Sequence, residues 1–307
     1  MRVYFPRYQI ESHREPWQSA ALVVELAKLG VECVLEMDDR CDAVFVGSFL
    51  AAADAANGYT KHPHNIPFPG YKHFPDVPVI HYCWDLYPWQ VEGKHDDNPD
   101  YAWRWLHYVK LLRQAAEVWV PSGAVLPRLQ QYADRDGVVI PACTPLWEPP
   151  EPPRNGSYVV DVMRKYPQDP NRDAVREACA ELNIPCVETG ASLSWNEYRR
   201  TIANARLLVS AYAEASTGSL ALLEGYRLGK PVLLCDSPLN GGVDYFGDRA
   251  AYFRWNDRAD LKAKLQLLYD RPGCNSAPFA DAWVRGQYGE AAFARRAAAR
   301  LKEIMCR

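Results

Sequence analysis

Ser210-Ala-Tyr-Ala-Glu214-Ala-Ser-Thr-Gly218-Ser-Leu-Ala-Leu-Leu-Glu224-Gly-Tyr-Arg-Leu-Gly229-Lys-Pro-Val232 is the stretch on which the fold turns. Ala205 to Tyr212 is apolar enough to be a buried strand. Ser216 and Thr217 are residue types that cap helix N-termini, and Gly218-Ser219 open a helix whose free N–H groups and dipole suit a phosphate. Glu224 falls about two turns into that helix. Gly229 is placed to end it and Pro231 prevents its continuation, so Val232-Leu-Leu-Cys235 begins the next strand.

The same alternation runs outward. Upstream, Tyr158 to Val162 reads as a strand, a helix runs from about Asn171 to Leu182, and Ser194-Trp-Asn-Glu197 is a capping box that opens another. The first half repeats the pattern: Arg2 to Phe5, a helix from Pro16 to Leu29 ended by Gly30, then strands at Val31 to Leu35, Asp42 to Val46, Val77 to Tyr82, Glu117 to Val120 and Val138 to Ile140. Strands alternating with helices predict parallel sheets covered by helices. Between the halves, Pro141 to Gly156 holds six prolines and reads as a stiff, extended linker. Asn57 to Asp76 is a long irregular segment of the kind that often carries function. Tyr288 to Met305 is Ala- and Arg-rich and helical, and no repeat of solenoid period is visible.

Hydrophobic residues make up 48% of the 307 and charged residues 24%, the balance of a soluble globular chain. No apolar run approaches the roughly 18 to 20 residues that span a bilayer. The start lacks a basic region followed by an apolar core, so export is not expected and a cytoplasmic location is. Nine cysteines without a C-x-x-C pair read as thiols in a reducing compartment. Residues 1–150 hold 13 basic against 19 acidic side chains, net −6, and residues 151–307 hold 22 against 19, net +3. The positive half suits a nucleoside diphosphate; the acidic half disfavours DNA or an anionic membrane as partner. His62-Pro-His64 with His73 lacks the spacing of a metal site, and no Ser-His-Asp or Cys-His signature stands out, so neither a metal nor another cofactor is expected.

At the opening stretch the sequence resembles the donor-binding half of retaining glycosyltransferases of the two-domain GT-B fold, particularly family 4. In that family a strand ending in a loop acid is followed by a Gly-containing helix start, a helix glutamate and Gly-x-Pro-Val. Asp236-Ser-Pro-Leu-Asn240-Gly-Gly242 is similar to the family's Gly-rich turn after the next strand, and Ala250-Ala-Tyr-Phe253 with Asn256-Asp257-Arg-Ala-Asp260 is similar to its closing strand and acidic helix start. Glu117-Val-Trp-Val-Pro-Ser122 and His81-Tyr-Cys-Trp84-Asp85-Leu-Tyr87-Pro88 resemble the last strands of the acceptor half. The likeness is strong over residues 205–270 and looser elsewhere. Two departures stand against it. The family spaces its two glutamates eight positions apart, whereas Glu214 and Glu224 are ten apart, so either Glu214 or Ser216 holds the first position; counting from the strand favours Glu214. Pro6 to Ser12, after the first strand, also lacks the family's glycines.

What the resemblance implies is an α/β protein of two Rossmann-like, doubly wound domains facing across a cleft. Residues 1–145 would bind the acceptor and residues 156–285 the nucleotide-sugar donor, with a final helix, 286–307, packing back on the first domain. Glu224 would bind the ribose hydroxyls, and Gly218, Ser219 and Leu220 would offer N–H groups to the diphosphate. Arg164 and Lys165 would offset the charge left on that diphosphate. Asn240, Gly241 and Gly242 would let the backbone approach the donor sugar, while Glu214 would contact the sugar or stabilise charge developing at its anomeric carbon.

In the first half, His81 ends a strand and Asp85 follows it, where open α/β sheets meet their ligands. Either could orient or deprotonate the acceptor hydroxyl, His81 having the better ordinary pKa for it. Trp84, Tyr87 and Trp89 beside them suit stacking on a sugar ring. The activity implied is metal-independent transfer of a sugar, with retention, to a small-molecule, glycan or other hydroxyl acceptor. Two other readings use the same donor half: a nucleotide-sugar epimerase or hydrolase, and a non-catalytic nucleotide or sugar binding protein.

Overall fold

The computed structural model describes residues 1–5, 20–34, 40–47, 76–83, 86, 108–144, 146–154, 156–162, 171, 173–189, 193–212, 219–271 and 277–307. The chain divides into two units: Met1–Pro145 with Tyr288–Arg307, and Leu146–Gln287.

The first unit is built on a six-stranded sheet of β1 (Arg2–Tyr4), β2 (Glu32–Val34), β3 (Ala43–Val46), β4 (Val79–Tyr82), β5 (Glu117–Val120) and β6 (Val138–Val139). Their order is β2-β1-β3-β4-β5-β6, and every pairing is parallel. All residues of β3, β4 and β5 are buried, as strands covered on both faces must be. Side-chain alternation sorts them. Val44, Val46, Val79, Val118 and Val120 build one core face with Leu112 and Leu129. Phe45, Tyr82 and Trp119 build the other, with Phe45 5.5 Å from Trp119 and Tyr82 5.9 Å from Phe293, ring centre to ring centre. Phe293 belongs to a helix, Glu290–Met305, that packs on α1 (Ala20–Lys28). α1 ends at Gly30, whose φ of 78° lets the Val31 N–H return to the Leu26 carbonyl (3.0 Å).

The second unit holds a five-stranded sheet of β7 (Val159–Asp161), β8 (Cys186–Glu188), β9 (Leu207–Ser210), β10 (Val232–Asp236) and β11 (Ala251–Arg254). The order is β11-β10-β9-β7-β8, again all parallel. Relative to their own first strands, both sheets begin 2-1-3-4-5, the doubly wound order whose crevice lies where the winding reverses. In this unit that point falls between β7 and β9. Val159, Leu207, Val209, Leu233 and Phe253 form one core face with Val175, Cys179, Leu261 and Leu265.

The Pro-rich segment runs between the two units as expected, without helix or strand among its described residues, but it is not solvated: Ala142, Cys143 and Thr144 are fully buried in the first unit, and Trp147 is 7% exposed in the second. Their apolar side chains outweigh the proline content that suggests a solvated strand. β8 was not foreseen, being a three-residue, half-buried edge strand whose only marker is Pro185 before it.

Candidate functional site

β9 leads towards helix α5 (Leu220–Arg227), the helix of the quoted stretch. The sequence expectation opens this helix at Gly218-Ser219. Ser219 instead has φ 86° and ψ 122°, outside the helical basin, so the helix starts at Leu220 and Ser219 precedes it without a side-chain cap. Glu224 therefore lies just over one turn in, not two. At the other end Gly229 (φ 78°) donates to the Tyr226 carbonyl (2.8 Å) and Lys230 to that of Gly225 (3.1 Å), closing the helix as its glycine predicts. Gly225 permits a close approach to the sheet: a Cβ there would stand 2.3 Å from Leu208 Cδ1 of β9. This draws the face bearing Glu224 inward, and Glu224 is left 4% exposed.

The surroundings of Glu224 come from three places. Helix α4 (Trp195–Ala203) opens with the foreseen capping box, Ser194 Oγ accepting from the Glu197 N–H and Glu197 Oε2 from the Ser194 N–H. One turn in, the Tyr198 hydroxyl donates to Glu224 Oε2 at 2.7 Å. The segment after Pro145 brings the Trp147 indole, and α5 itself brings Arg227. Burial pushes the Glu224 carboxyl up to about 7, against the opposing pull of Tyr198, Trp147 and Arg227. Arg227 is 2% exposed and bound elsewhere, donating to the Trp147 carbonyl and pairing with Asp281 at 3.1 Å and Glu148 at 3.5 Å. Its charge is thus shared among three acceptors and only partly offsets Glu224.

Asn240, expected near the donor sugar, is a buried latch. Its Nδ2 donates to the carbonyls of Tyr212 and Cys235 (3.1 Å each), and its Oδ1 accepts from the Gly242 N–H (2.9 Å). These bonds tie the ends of β9 and β10 together. Gly241 closes the turn at φ −63° and Gly242 begins a short helix, Gly242–Phe246. The fixed amide of Asn240 sets that start.

In the first unit, His81 sits within β4 between Val46 and Val118, its ring 6.1 Å from Tyr108. It is fully buried, and desolvation pushes its pKa down to about 3. The near-neutral proton affinity read from the sequence does not apply in this setting. Glu214, Gly218, Arg164, Lys165, Asp85, Trp84, Tyr87 and Trp89 lie outside the described residues, as do His62, His64 and His73. Among the described residues no three His, Cys, Asp or Glu side chains group as metal ligands would, and no helix is long and apolar enough to cross a membrane. Sequence reading missed Tyr198, Trp147 and Arg227. Arg227 lay in plain view three positions past Glu224, while the other two have no local signal.

The chain has two α/β domains on parallel sheets, of six and five strands among the described residues, and this is the GT-B fold that its structural neighbours share. No family model and no curated protein matches the chain in sequence. Solved structures do match in fold. Sucrose-phosphate synthase from Thermosynechococcus elongatus aligns over 99% of this chain and 98% of its own, at 12% identity and a TM-score of 0.62. HepE of Anabaena, solved with UDP and glucose, aligns over 99% and 100%, at 11% identity and 0.64. TarM aligns over 92% of this chain at 13% identity and 0.58, and the chain spans 58% of TarM's length. At such identities the likeness is one of fold.

Proposed function

We propose that this chain transfers a sugar from a nucleoside diphosphate sugar to a hydroxyl acceptor, with retention of configuration and without a metal ion. The observation that carries the reading is Glu224, a carboxylate buried on the helix after β9 whose one well-formed hydrogen bond is from a tyrosine hydroxyl, with the Trp147 indole beside it and no cation bound to it. Burying a carboxylate is costly unless cations and donors surround it. One left short of partners in a doubly wound domain is a candidate to receive ligand hydroxyls. The fold it shares with HepE makes UDP-glucose the first donor to test.

In this reading the ribose hydroxyls donate to Glu224, and the N–H groups of Gly218, Ser219 and Leu220 face the diphosphate. Arg164 and Lys165 offset the charge that gathers on the diphosphate as the glycosidic bond breaks. Gly241 and Gly242 border the sugar, and Glu214 faces the positive charge at its anomeric carbon. The acceptor, held by Trp84, Tyr87 and Trp89, attacks through its hydroxyl oxygen from the face the diphosphate leaves. A histidine with a pKa near 3 is a poor proton acceptor at neutral pH, so His81 is assigned an orienting role and Asp85 the proton.

Titration calorimetry with UDP, GDP, ADP and their glucose conjugates tests the donor half, followed by turnover assays in the presence of a chelator. The expected result is binding selective for one base, weakened at least about tenfold in Glu224→Ala, and donor consumption that the chelator does not reduce. Binding of none of these nucleotides would sink the proposal. Donor consumption that no acceptor accelerates would turn it into a hydrolase or epimerase.

A further inference from the structure

Tyr198 reaches Glu224 from another helix, 26 residues earlier in the chain, and is itself held in place. Trp195, one turn before it, stacks on its ring at 5.5 Å and an interplanar angle of 13°, and Trp147 meets Trp195 edge-on at 6.2 Å. The capping box fixes the start of the helix that carries both. The phenol therefore has little freedom. Its hydroxyl takes one acceptor position on Glu224 Oε2; the only other donor at the carboxylate among the described residues is the Trp147 indole, which lies beside it without forming a well-made bond. An ionised carboxylate offers about four such positions.

We propose that Tyr198 is a positioning residue for nucleotide recognition: its hydroxyl fixes the rotation of the Glu224 carboxylate so that Oε1 meets the ribose, which makes it a determinant of preference for ribonucleotides over deoxyribonucleotides. The inference rests on the reading of Glu224 as the ribose-binding group. The terminal torsion of a glutamate is broad, with no deep well to hold the carboxylate plane. Ordering that plane on binding would cost part of the interaction energy; a bond already made from a stacked phenol removes that cost before ligand arrives. A second ribose hydroxyl can then use what remains of Oε2.

The test compares Tyr198→Phe with the wild-type chain for a ribonucleotide, UDP, and its 2′,3′-dideoxy counterpart. The Phe ring retains the stack on Trp195 and loses only the hydroxyl. The wild type is expected to favour UDP, and Tyr198→Phe to bind UDP about tenfold more weakly while its affinity for the dideoxy form is unchanged. Glu224→Gln in parallel is expected to abolish the preference. Equal weakening for both ligands, or no weakening, overturns the role of Tyr198 while leaving Glu224 in place. A wild type that binds nucleotide with no preference for the ribo form, or binds none, overturns the Glu224 reading and this inference with it. Should Tyr198→Phe fail to fold, Trp195→Leu decides. That side chain is 48% exposed, and its loss frees the phenol. A smaller, ribo-confined loss supports the role, and an unchanged preference refutes it.

Discussion

Glu117 and Glu224 are buried to nearly the same degree, 7% and 4% exposed, one in each unit. Their surroundings differ. Glu117 on β5 receives the Arg300 guanidinium on both oxygens, Nε to Oε1 at 2.7 Å and Nη2 to Oε2 at 2.5 Å, and the Trp119 indole N–H at 2.7 Å. Glu224 has only neutral neighbours, a phenol hydroxyl and the Trp147 indole, and the one arginine near it is bound to Asp281, Glu148 and the Trp147 carbonyl. Burial alone therefore does not mark a functional carboxylate. The mark is burial without the counter-charge that a structural role supplies, and the carboxyl of Glu224, raised to about 7, records that shortfall.

Four measurements would break or sharpen this contrast. The largest effect is expected from Arg300→Ala, which strands Glu117. Urea denaturation should show a loss of about 3 kcal/mol with nucleotide affinity unchanged in the folded variant, and a loss below about 1 kcal/mol would erase the distinction between the two glutamates.

Glu224→Gln should act in the opposite sense. The folded-state value of about 7 lies above the ordinary 4.5, so between these values the folded protein keeps a proton that the unfolded chain has released. Stability from this group falls as pH rises from about 4.5 to about 7 and is level above. The variant lacks that slope. It should gain about 2 kcal/mol over the wild type at pH 8, little at pH 4.5, and bind nucleotide more weakly, without preference for the ribo form. A variant less stable than wild type at pH 8 would show Glu224 to be structural after all.

Gly225→Ala should cost about 1.5 kcal/mol, because the added carbon meets the fully buried Leu208 and lifts α5 from β9. Nucleotide affinity should fall with it, since the lift moves Glu224 away from Tyr198. The smallest expected effect is that of Ser194→Ala, about 1 kcal/mol from the lost helix cap, seen as a modest drop in melting temperature. It tests how firmly α4 holds its tyrosine.

Much of the frame was legible in the sequence. Glu117–Val120 falls where the apolar run places it, and β10 exceeds its expected span by one residue, Asp236. The capping box of α4 and the glycine that ends α5 are local signals, readable because backbone geometry and short-range hydrogen bonds decide them. Glu224 was found for the same reason, through a motif that spans one helix and its flanks. What escaped is tertiary. The bond from Tyr198 spans 26 residues and the one from Arg227 to the Trp147 carbonyl 80, and no periodicity in the chain encodes either. Trp147 was hidden by its prolines, which suggest a spacer where the chain in fact buries an indole. The start of α5 shifted because Ser219 takes a left-handed φ that residue propensity does not anticipate. His81 was placed on its strand correctly, but its proton affinity depends on the packing of neighbours from β3, β5 and residue 108.

The pairing of Glu117 with Arg300 joins residues 183 positions apart, with the whole second unit between them. On a ribosome adding roughly 5 to 20 residues per second, that interval lasts about 10 to 40 seconds. Throughout it β5 has been made and its carboxylate has no guanidinium to meet. The unit translated first is thus the last to be completed, and the nascent chain must carry an open sheet until the helix of Arg300 emerges to close it.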